Sequence, residues 1–166
     1  MNAKIFKLLQ GCCSKDPTRP NLARPFTQKG FAYATNGVIA LKVEAPFAAG
    51  TTDSVGIAHD HWVLPNTEAP PDMNYVWSQR SAVARHAPLQ IPIVRAPQEV
   101  PISFDNGLIF FGRTKNRATL DLRVLAPLAP LKKLELHVPE DWQTPFFFTA
   151  EYDGRAFEGA IMGMRP

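Results

Sequence analysis

The fold is decided by residues 31–43, which read Phe-Ala-Tyr-Ala-Thr-Asn-Gly-Val-Ile-Ala-Leu-Lys-Val. Two β-rich runs, 31–35 and 38–43, flank an Asn-Gly pair. That pair is the strongest short-range signal for a β-hairpin, because both central residues of a type I′ turn need positive φ angles. We therefore expect two antiparallel strands with Asn36-Gly37 as the turn between them.

Similar glycine-containing turn pairs occur on either side of this hairpin in the sequence. Turn pairs at Lys29-Gly30, Asn106-Gly107 and Asp153-Gly154 separate further β-rich runs. The additional predicted strands are 25–28, 100–104, 108–112, 135–138, 146–152 and 155–164. Apolar residues at helical spacing predict helices over 3–10 and 119–131, the second of them shortened or kinked by prolines. A further helix is predicted over 75–86, where it would end just before Ala87-Pro88. Residues 44–74 contain four prolines and accommodate at most one or two edge strands.

The order of these elements indicates the fold class. A helix followed by an antiparallel meander occurs at least twice, so we expect an α+β fold with helices on one face of an antiparallel sheet. The chain has 166 residues, which fits one domain over 1–166, with 44–74 as a proline-rich irregular insertion. Its 16 prolines argue against a helical bundle, and a hydrophobic content of 45% argues against a disordered chain.

The formal net charge of +3 hides alternating blocks. Residues 1–30 carry a net charge of +5, residues 44–79 carry −5, residues 80–133 carry +6 and residues 134–166 carry −4. Such blocks are typical of a fold in which basic segments converge on one surface and acidic segments on another. Solvated faces that merely carry like charges are the simpler interpretation of the same pattern.

The cysteines and the N-terminus bear on location. Cys12 and Cys13 are adjacent, a spacing at which disulfide geometry is strained, so we expect both thiols to be reduced. Lys4 and Lys7 interrupt the first apolar stretch, so no secretory leader is predicted, and no apolar run is long enough to span a membrane. We expect a cytoplasmic protein without membrane association.

Two apolar runs break the alternation of a half-exposed strand. They are Phe146-Phe147-Phe148 and Leu108-Ile109-Phe110-Phe111. A strand that is apolar on both sides is either covered on both faces of a sheet or part of a contact between subunits. The sequence leaves both alternatives open, and the second favours a homo-oligomer.

Two segments carry a resemblance to a known family. Tyr33-Ala-Thr-Asn-Gly-Val-Ile-Ala-Leu41 resembles the Ala-Thr-Asp-Gly-His-Arg-Leu hairpin of bacterial DNA sliding clamps, the beta subunit of the replicative polymerase. The ending Ala160-Ile-Met-Gly-Met-Arg-Pro166 resembles the Met-Pro-Met-Arg-Leu ending of that family. Small phage and prophage proteins look similar, with one such hairpin early and one such strand last. The rest of the chain is similar only in the order of its elements.

The resemblance implies a processivity-clamp domain of repeated helix-plus-meander units, a non-enzymatic role in DNA replication or repair, and no cofactor. Helices would line a surface that holds duplex DNA through sequence-independent phosphate contacts. The DNA-facing cations would be Lys4, Lys7, Arg117, Arg123, Lys132 and Lys133. The resemblance further implies that a ring of one-domain subunits would contain about six copies, the number of domains in the bacterial clamp ring, with closed symmetry.

The resemblance also implies a groove for short hydrophobic peptides of polymerases and clamp loaders. The residues that match it are Thr35, Asn36, Gly37, Val38, Ile39, Met162, Gly163, Met164 and Arg165. The sequence departs from the family where Val38 and Ile39 replace a His-Arg pair and where Gly163 replaces proline. A groove with these side chains would be more apolar than that of the family, and methionines suit adaptable peptide pockets.

Two other functions remain open. An interaction module with the clamp surface would sequester host replication proteins without binding DNA. A metal-dependent enzyme would use His59 and His61, because two imidazoles at alternate strand positions point to one side and share an ion. No phosphate loop, dinucleotide fingerprint or nucleophile elbow occurs in the sequence, so we expect a protein without catalytic residues.

Overall fold

The computed structural model describes residues 3–45, 71–79, 85–87, 102–105, 108–111, 118–139 and 143–164. In these ranges the helices are α1 (Ala3–Gly11) and α2 (Met73–Ser78), with 3₁₀ turns at Pro20–Leu22 and Leu122–Leu128. The strands are β1 (Phe26–Gln28), β2 (Phe31–Thr35), β3 (Ile39–Glu44), β4 (Arg85–Ala87), β5 (Ile102–Asp105), β6 (Leu108–Phe111), β7 (Ala118–Asp121), β8 (Lys132–Val138), β9 (Phe146–Tyr152) and β10 (Arg155–Ile161). None of the helices in these ranges is long and apolar enough to cross a membrane.

The larger of two antiparallel sheets has the strand order β1-β2-β3-β10-β9-β8-β4, and β5-β6-β7 form the smaller one. Two meanders, β1–β3 and β8–β10, make up most of the larger sheet and are joined through β3 and β10. The described residues combine helices with antiparallel sheets, and most of the regular structure is sheet. This confirms the predicted α+β class. The clamp-like repeated unit remains a prediction.

The larger sheet is covered on both faces. On the face that we call inner, Ile5 and Leu9 of α1 share one core with Ile109 and Phe111 of the smaller sheet. On the opposite, outer face, Met73 of α2 packs in a second cluster; its buried partners are Phe26, Tyr33, Ala40, Phe147 and Ala160. The two helices therefore lie on opposite faces of the sheet, whereas the sequence predicted helices on one face only.

The strand β9 explains the first of the two apolar runs. Phe146 and Phe148 belong to the inner core, and Phe147 belongs to the outer cluster. All three side chains are at most 2% exposed, because β9 lies between β10 and β8 inside the sheet. A single chain thus buries this run completely, so the run requires no second subunit.

The predicted helix over 75–86 is wrong in its extent. The α-helix covers only Met73–Ser78, with Asp72 as its N-cap and Gln79 at its C-terminal end. Residues 85–87 instead form β4, which pairs antiparallel with β8. Backbone pairing with the sheet edge outweighs the local helical tendency there, since tertiary context overrides intrinsic propensity.

The predicted helix over 119–131 is also wrong. Its first residues form β7, which pairs with β6, and residues 122–128 form a 3₁₀ turn with Pro127 inside it. Leu125, Leu128 and Leu131 are buried at a spacing of three. A 3₁₀ turn has three residues per turn, so this spacing suits it better than the 3.6-residue period of an α-helix.

One close contact in the sheet fixes a glycine. Gly159 of β10 pairs with Phe148 of β9, and a Cβ atom on Gly159 would overlap the Phe148 ring. The ring therefore occupies the space that any other residue would need at position 159. Phe148 is 1% exposed and is held by the inner core, so its ring has little freedom to move aside.

We expect Gly159→Ala to lower the free energy of unfolding by about 2–3 kcal/mol, because it overpacks a filled core. Chemical denaturation followed by circular dichroism measures the change. Gly11→Ala is the matched control: Gly11 ends α1, and a Cβ atom there would have no neighbour within 4 Å, so stability should stay equal or rise slightly. Equal stabilities for Gly159→Ala and the wild type would contradict this packing of Phe148 against Gly159.

Candidate functional site

The candidate site lies where the β2–β3 turn meets the chain that follows β10. Strands β3 and β10 are neighbours in the larger sheet, with Ile39 opposite Ile161. Beyond that pair the Met162 amide donates a hydrogen bond of 2.8 Å to the Val38 carbonyl. The two segments that carry the family resemblance therefore meet within one chain.

Side-chain hydrogen bonds hold the turn in shape. The Asn36 Oδ1 atom accepts from the amides of Val38 at 2.9 Å and Ile39 at 2.8 Å. The Thr35 hydroxyl donates to the Ile39 carbonyl at 2.6 Å and accepts from the Gly37 amide at 3.1 Å. These bonds fix the backbone that presents Val38 to solvent, where it is 40% exposed.

The type of this turn differs from the prediction. Thr35 pairs with Ala40 and the Asn36 amide bonds to the Ile39 carbonyl, so Gly37 and Val38 are the central residues. Gly37 has a φ of 89°, whereas neither Asn36 nor Val38 has a positive φ, so the two adjacent positive φ angles of a type I′ turn do not occur here. The predicted type I′ pattern occurs instead at Lys29-Gly30 and Asp153-Gly154, where both central residues have positive φ.

An apolar pocket of about 210 Å³ opens beside this turn on the outer face. Its lining combines the turn, the end of β10 and the start of α2; the residues are Leu22, Thr35, Gly37, Val38, Ile39, Ala40, Pro71, Met73, Val76, Ala160 and Met162. Thr35 contributes the one polar side chain of this lining, and its hydroxyl is already hydrogen-bonded within the turn. The pocket therefore suits an apolar group and selects it by shape.

Five of the predicted groove residues line this pocket: Thr35, Gly37, Val38, Ile39 and Met162. Asn36 acts indirectly by building the turn. Gly163 follows Met162, and the Met164 amide bonds to the Thr119 carbonyl of β7 at 2.9 Å. Arg165 lies outside the residues that the structure describes.

The sequence did not indicate the remaining lining residues. Ala40 and Ala160 pair across β3 and β10 on the outer face, and their small side chains leave room above the strands. The alternation of buried residues along each strand carries that signal once the pairing is known. No pattern in the sequence indicated that Pro71, Met73 and Val76 approach this end of the sheet.

A second, polar cavity lies on the same face, toward the other end of β3 and β10. It has a volume of about 360 Å³ and is lined by Phe31, Lys42, Val43, Glu44, Gly154, Arg155, Ala156 and Glu158. Lys42 Nζ is 3.2 Å from Glu158 Oε2 and 4.1 Å from the centre of the Phe31 ring. Its lining contains two cations, Lys42 and Arg155, and two carboxylates, Glu44 and Glu158, so it has no predominant charge.

The predicted DNA-binding cations do not share one helical surface. Lys4 and Lys7 are exposed on α1, and Lys4 Nζ is 3.5 Å from Asp153 Oδ1. Lys132 and Lys133 lie on β8 instead of beside a helix, and Lys133 Nζ is 2.8 Å from Glu151 Oε2. The expected third helix does not form, because its residues are divided between β7 and a 3₁₀ turn. Arg117 lies outside the described ranges.

Arg123 is engaged by a carboxylate within the 3₁₀ turn. Its Nη2 atom is 2.6 Å from Asp121 Oδ2, and its Nε atom is 3.0 Å from both carboxylate oxygens. The hydrogen bond from the Arg123 side chain lowers the pKa of Asp121 and raises that of Arg123. A guanidinium in this bidentate pair is less available to a phosphate.

The remaining chemically reactive groups show no catalytic arrangement in the described part of the chain. Burial raises the pKa of Cys12 and of Cys13 to about 12, so both are neutral thiols at physiological pH. No three His, Cys, Asp or Glu side chains of the described residues group as metal ligands. The predicted metal pair, His59 and His61, falls outside the ranges that the structure describes.

Comparison of this chain with protein-family models, curated proteins and solved structures finds no match.

The burial of the two thiols has a measurable consequence. We expect Cys12 and Cys13 to resist an aromatic disulfide reagent at pH 8 in the folded protein, because both are at most 5% exposed and protonated. In denaturant both should react within the mixing time, and absorbance counts the released thiolate. Rapid reaction of either thiol in the folded protein would contradict the burial of the α1 C-terminal segment.

Proposed function

We propose that this chain is a non-enzymatic, clamp-like protein that acts in DNA replication or repair by holding short hydrophobic peptides and duplex DNA. One observation carries the proposal. The two segments that resemble the groove-forming segments of sliding clamps lie side by side on β3 and β10 and line one apolar pocket. A phage or mobile-element origin and a cytoplasmic location belong to the same proposal.

The pocket chemistry supports a peptide ligand. Val38 and Met162 are 40% and 43% exposed at its rim, and Met73 is buried at 2% in its wall. Burial of one leucine-sized or phenylalanine-sized side chain contributes about 2 kcal/mol. Methionine adapts its shape to different apolar groups, so Met162 and Met73 suit several related peptides.

A charged side chain at the rim tests peptide binding. We expect Met162→Asp to raise the Kd for a fluorescent clamp-binding peptide about tenfold or more, because apolar groups would be buried against an unpaired charge. Fluorescence anisotropy measures the affinity. Tyr75→Asp is the matched control, since Tyr75 is 70% exposed on α2 and does not line the pocket. Equal affinities for both variants, or no binding by the wild type, would overturn the peptide proposal.

Exposed cations of the N-terminal segment support binding of duplex DNA. The exposed residues are Lys4, Lys7, Lys15, Arg19, Arg24 and Lys29. The Gln10 side chain donates to the Ala23 carbonyl at 2.9 Å and so joins the end of α1 to the loop that carries Arg24. Phosphate binding through such a surface weakens steeply with salt.

We expect Lys7→Glu to weaken retention on a short duplex several-fold and to reduce its salt dependence. Lys133→Glu changes the net charge equally, but Lys133 is already paired with Glu151, so its effect should be smaller. Electrophoretic mobility shifts at increasing salt measure the DNA affinity of both variants and its salt dependence. Peptide binding without salt-dependent DNA binding would instead favour the module that sequesters replication proteins.

Light scattering determines whether the subunits form a homo-oligomer, as ring closure requires.

A further inference from the structure

A single carboxylate on the outer face connects α2 to the sheet. Glu158 Oε2 accepts hydrogen bonds from Trp77 Nε1 at 2.9 Å and from Lys42 Nζ at 3.2 Å. Lys42 lies opposite Glu158 in the β3–β10 pair. Glu158 lines the polar cavity and is two residues along β10 from Ala160, which lines the apolar pocket.

The helix α2 needs such a connection. It has six residues, and an isolated helix of that length is not stable in water. Its contacts hold it to the sheet: Trp77 packs edge-on against Tyr33 and Phe147, with ring centres 5.7 Å and 6.5 Å apart. The Met73 amide donates to the Gln28 side chain at 3.2 Å. The bond from Trp77 to Glu158 is the charge-assisted one among these contacts, and such bonds are the stronger and more directional kind.

The position of α2 determines the shape of the apolar pocket. Met73 and Val76 of the helix, together with Pro71 before it, form one wall. Trp77 follows Val76 directly, so a shift that breaks the Trp77–Glu158 bond also displaces that wall. Lys42 gives the half-buried carboxylate a cationic partner, because its ammonium pairs with Glu158 and lies over the Phe31 ring.

We propose that Glu158 is a positioning residue for the apolar pocket: it fixes α2 through Trp77, and thereby sets the affinity for an apolar ligand that it does not touch. This inference rests on the proposed peptide-binding function for its ligand, but the placement of α2 is measurable without any ligand.

The experiment combines peptide affinity with methyl NMR. Protein labelled with [¹³C-methyl]methionine reports on Met73 in the pocket wall, and the loss of one signal in Met73→Leu assigns its resonance. We expect Glu158→Ala and Trp77→Phe each to shift the Met73 resonance and to raise the peptide Kd about tenfold, the factor expected for one charge-assisted hydrogen bond. The double variant should bind no more weakly than either single variant, because both remove the same bond.

Two further variants separate positioning from general destabilisation. Glu158→Gln retains an oxygen that accepts from Trp77 Nε1, so it should restore the Met73 resonance and most of the affinity. Glu151→Ala removes a carboxylate that pairs with Lys133 and not with α2, so it should leave both readouts unchanged. Global stability, measured by denaturation, should not follow the order of the affinities.

The possible failures are distinguishable. If the wild type binds no peptide, the proposed function is overturned, while the Met73 resonance still tests whether Glu158 positions α2. If the wild type binds peptide but Glu158→Ala changes neither the resonance nor the Kd, the positioning role is overturned and the pocket remains. Additive effects in the double variant would also overturn it, because Trp77 and Glu158 would then act separately.

Discussion

The pairing of β3 with β10 is the constraint on which the rest of the structure depends. It joins two meanders from opposite parts of the chain: Lys42 and Glu158 face each other although they are 116 positions apart in sequence. The same pairing places the β2–β3 turn beside Met162, because the register puts Ile39 opposite Ile161. The apolar pocket, the polar cavity and the seat of α2 all lie on the outer face of these two strands.

The two faces of the β3–β10 pair carry side chains of different size and polarity. The inner face carries large apolar side chains such as Leu41 and Phe157, and Gly159 admits the Phe148 ring between them. The outer face carries Ala40 and Ala160 at one end and the Lys42–Glu158 pair farther along. Small residues leave a recess, and the ion pair separates that recess from the polar cavity. A structural inner face and a recessed outer face thus share the same two strands.

The sequence predicted the meanders well, because their turns depend on neighbouring residues. Lys29-Gly30 and Asp153-Gly154 adopt the positive φ angles that a two-residue turn requires. Asn36-Gly37 also marks a turn, but the Asn36 side chain caps the following amides and moves the centre to Gly37-Val38. Helices were predicted less well: residues 85–87 pair with β8, and leucines at a spacing of three favour a 3₁₀ turn after β7. The pairing of β4 with β8 depends on a contact that the local sequence does not contain, whereas the spacing of the buried leucines lies in the sequence itself.

The candidate site shows the same division. Val38, Ile39 and Met162 were predicted from two motifs, whereas Met73, Val76 and Ala160 join the pocket only through tertiary packing. The predicted cations are dispersed for a similar reason. Arg123 pairs with Asp121 close by in the sequence, whereas Lys133 pairs with Glu151 of another strand. Charge blocks along a chain therefore do not map directly onto charged surfaces of the fold.

The late arrival of β10 also affects how the chain folds during synthesis. The first meander emerges from the ribosome long before β10. Until β10 is translated, the backbone N–H and C=O groups along one side of β3 lack the strand with which they form hydrogen bonds in the folded protein. An apolar strand with an open edge is a template for pairing between nascent chains. Contacts of such large sequence separation form slowly, which lengthens that period. A chaperone that covers β3 until β10 is translated would protect the nascent chain from aggregation while the edge of β3 is unpaired.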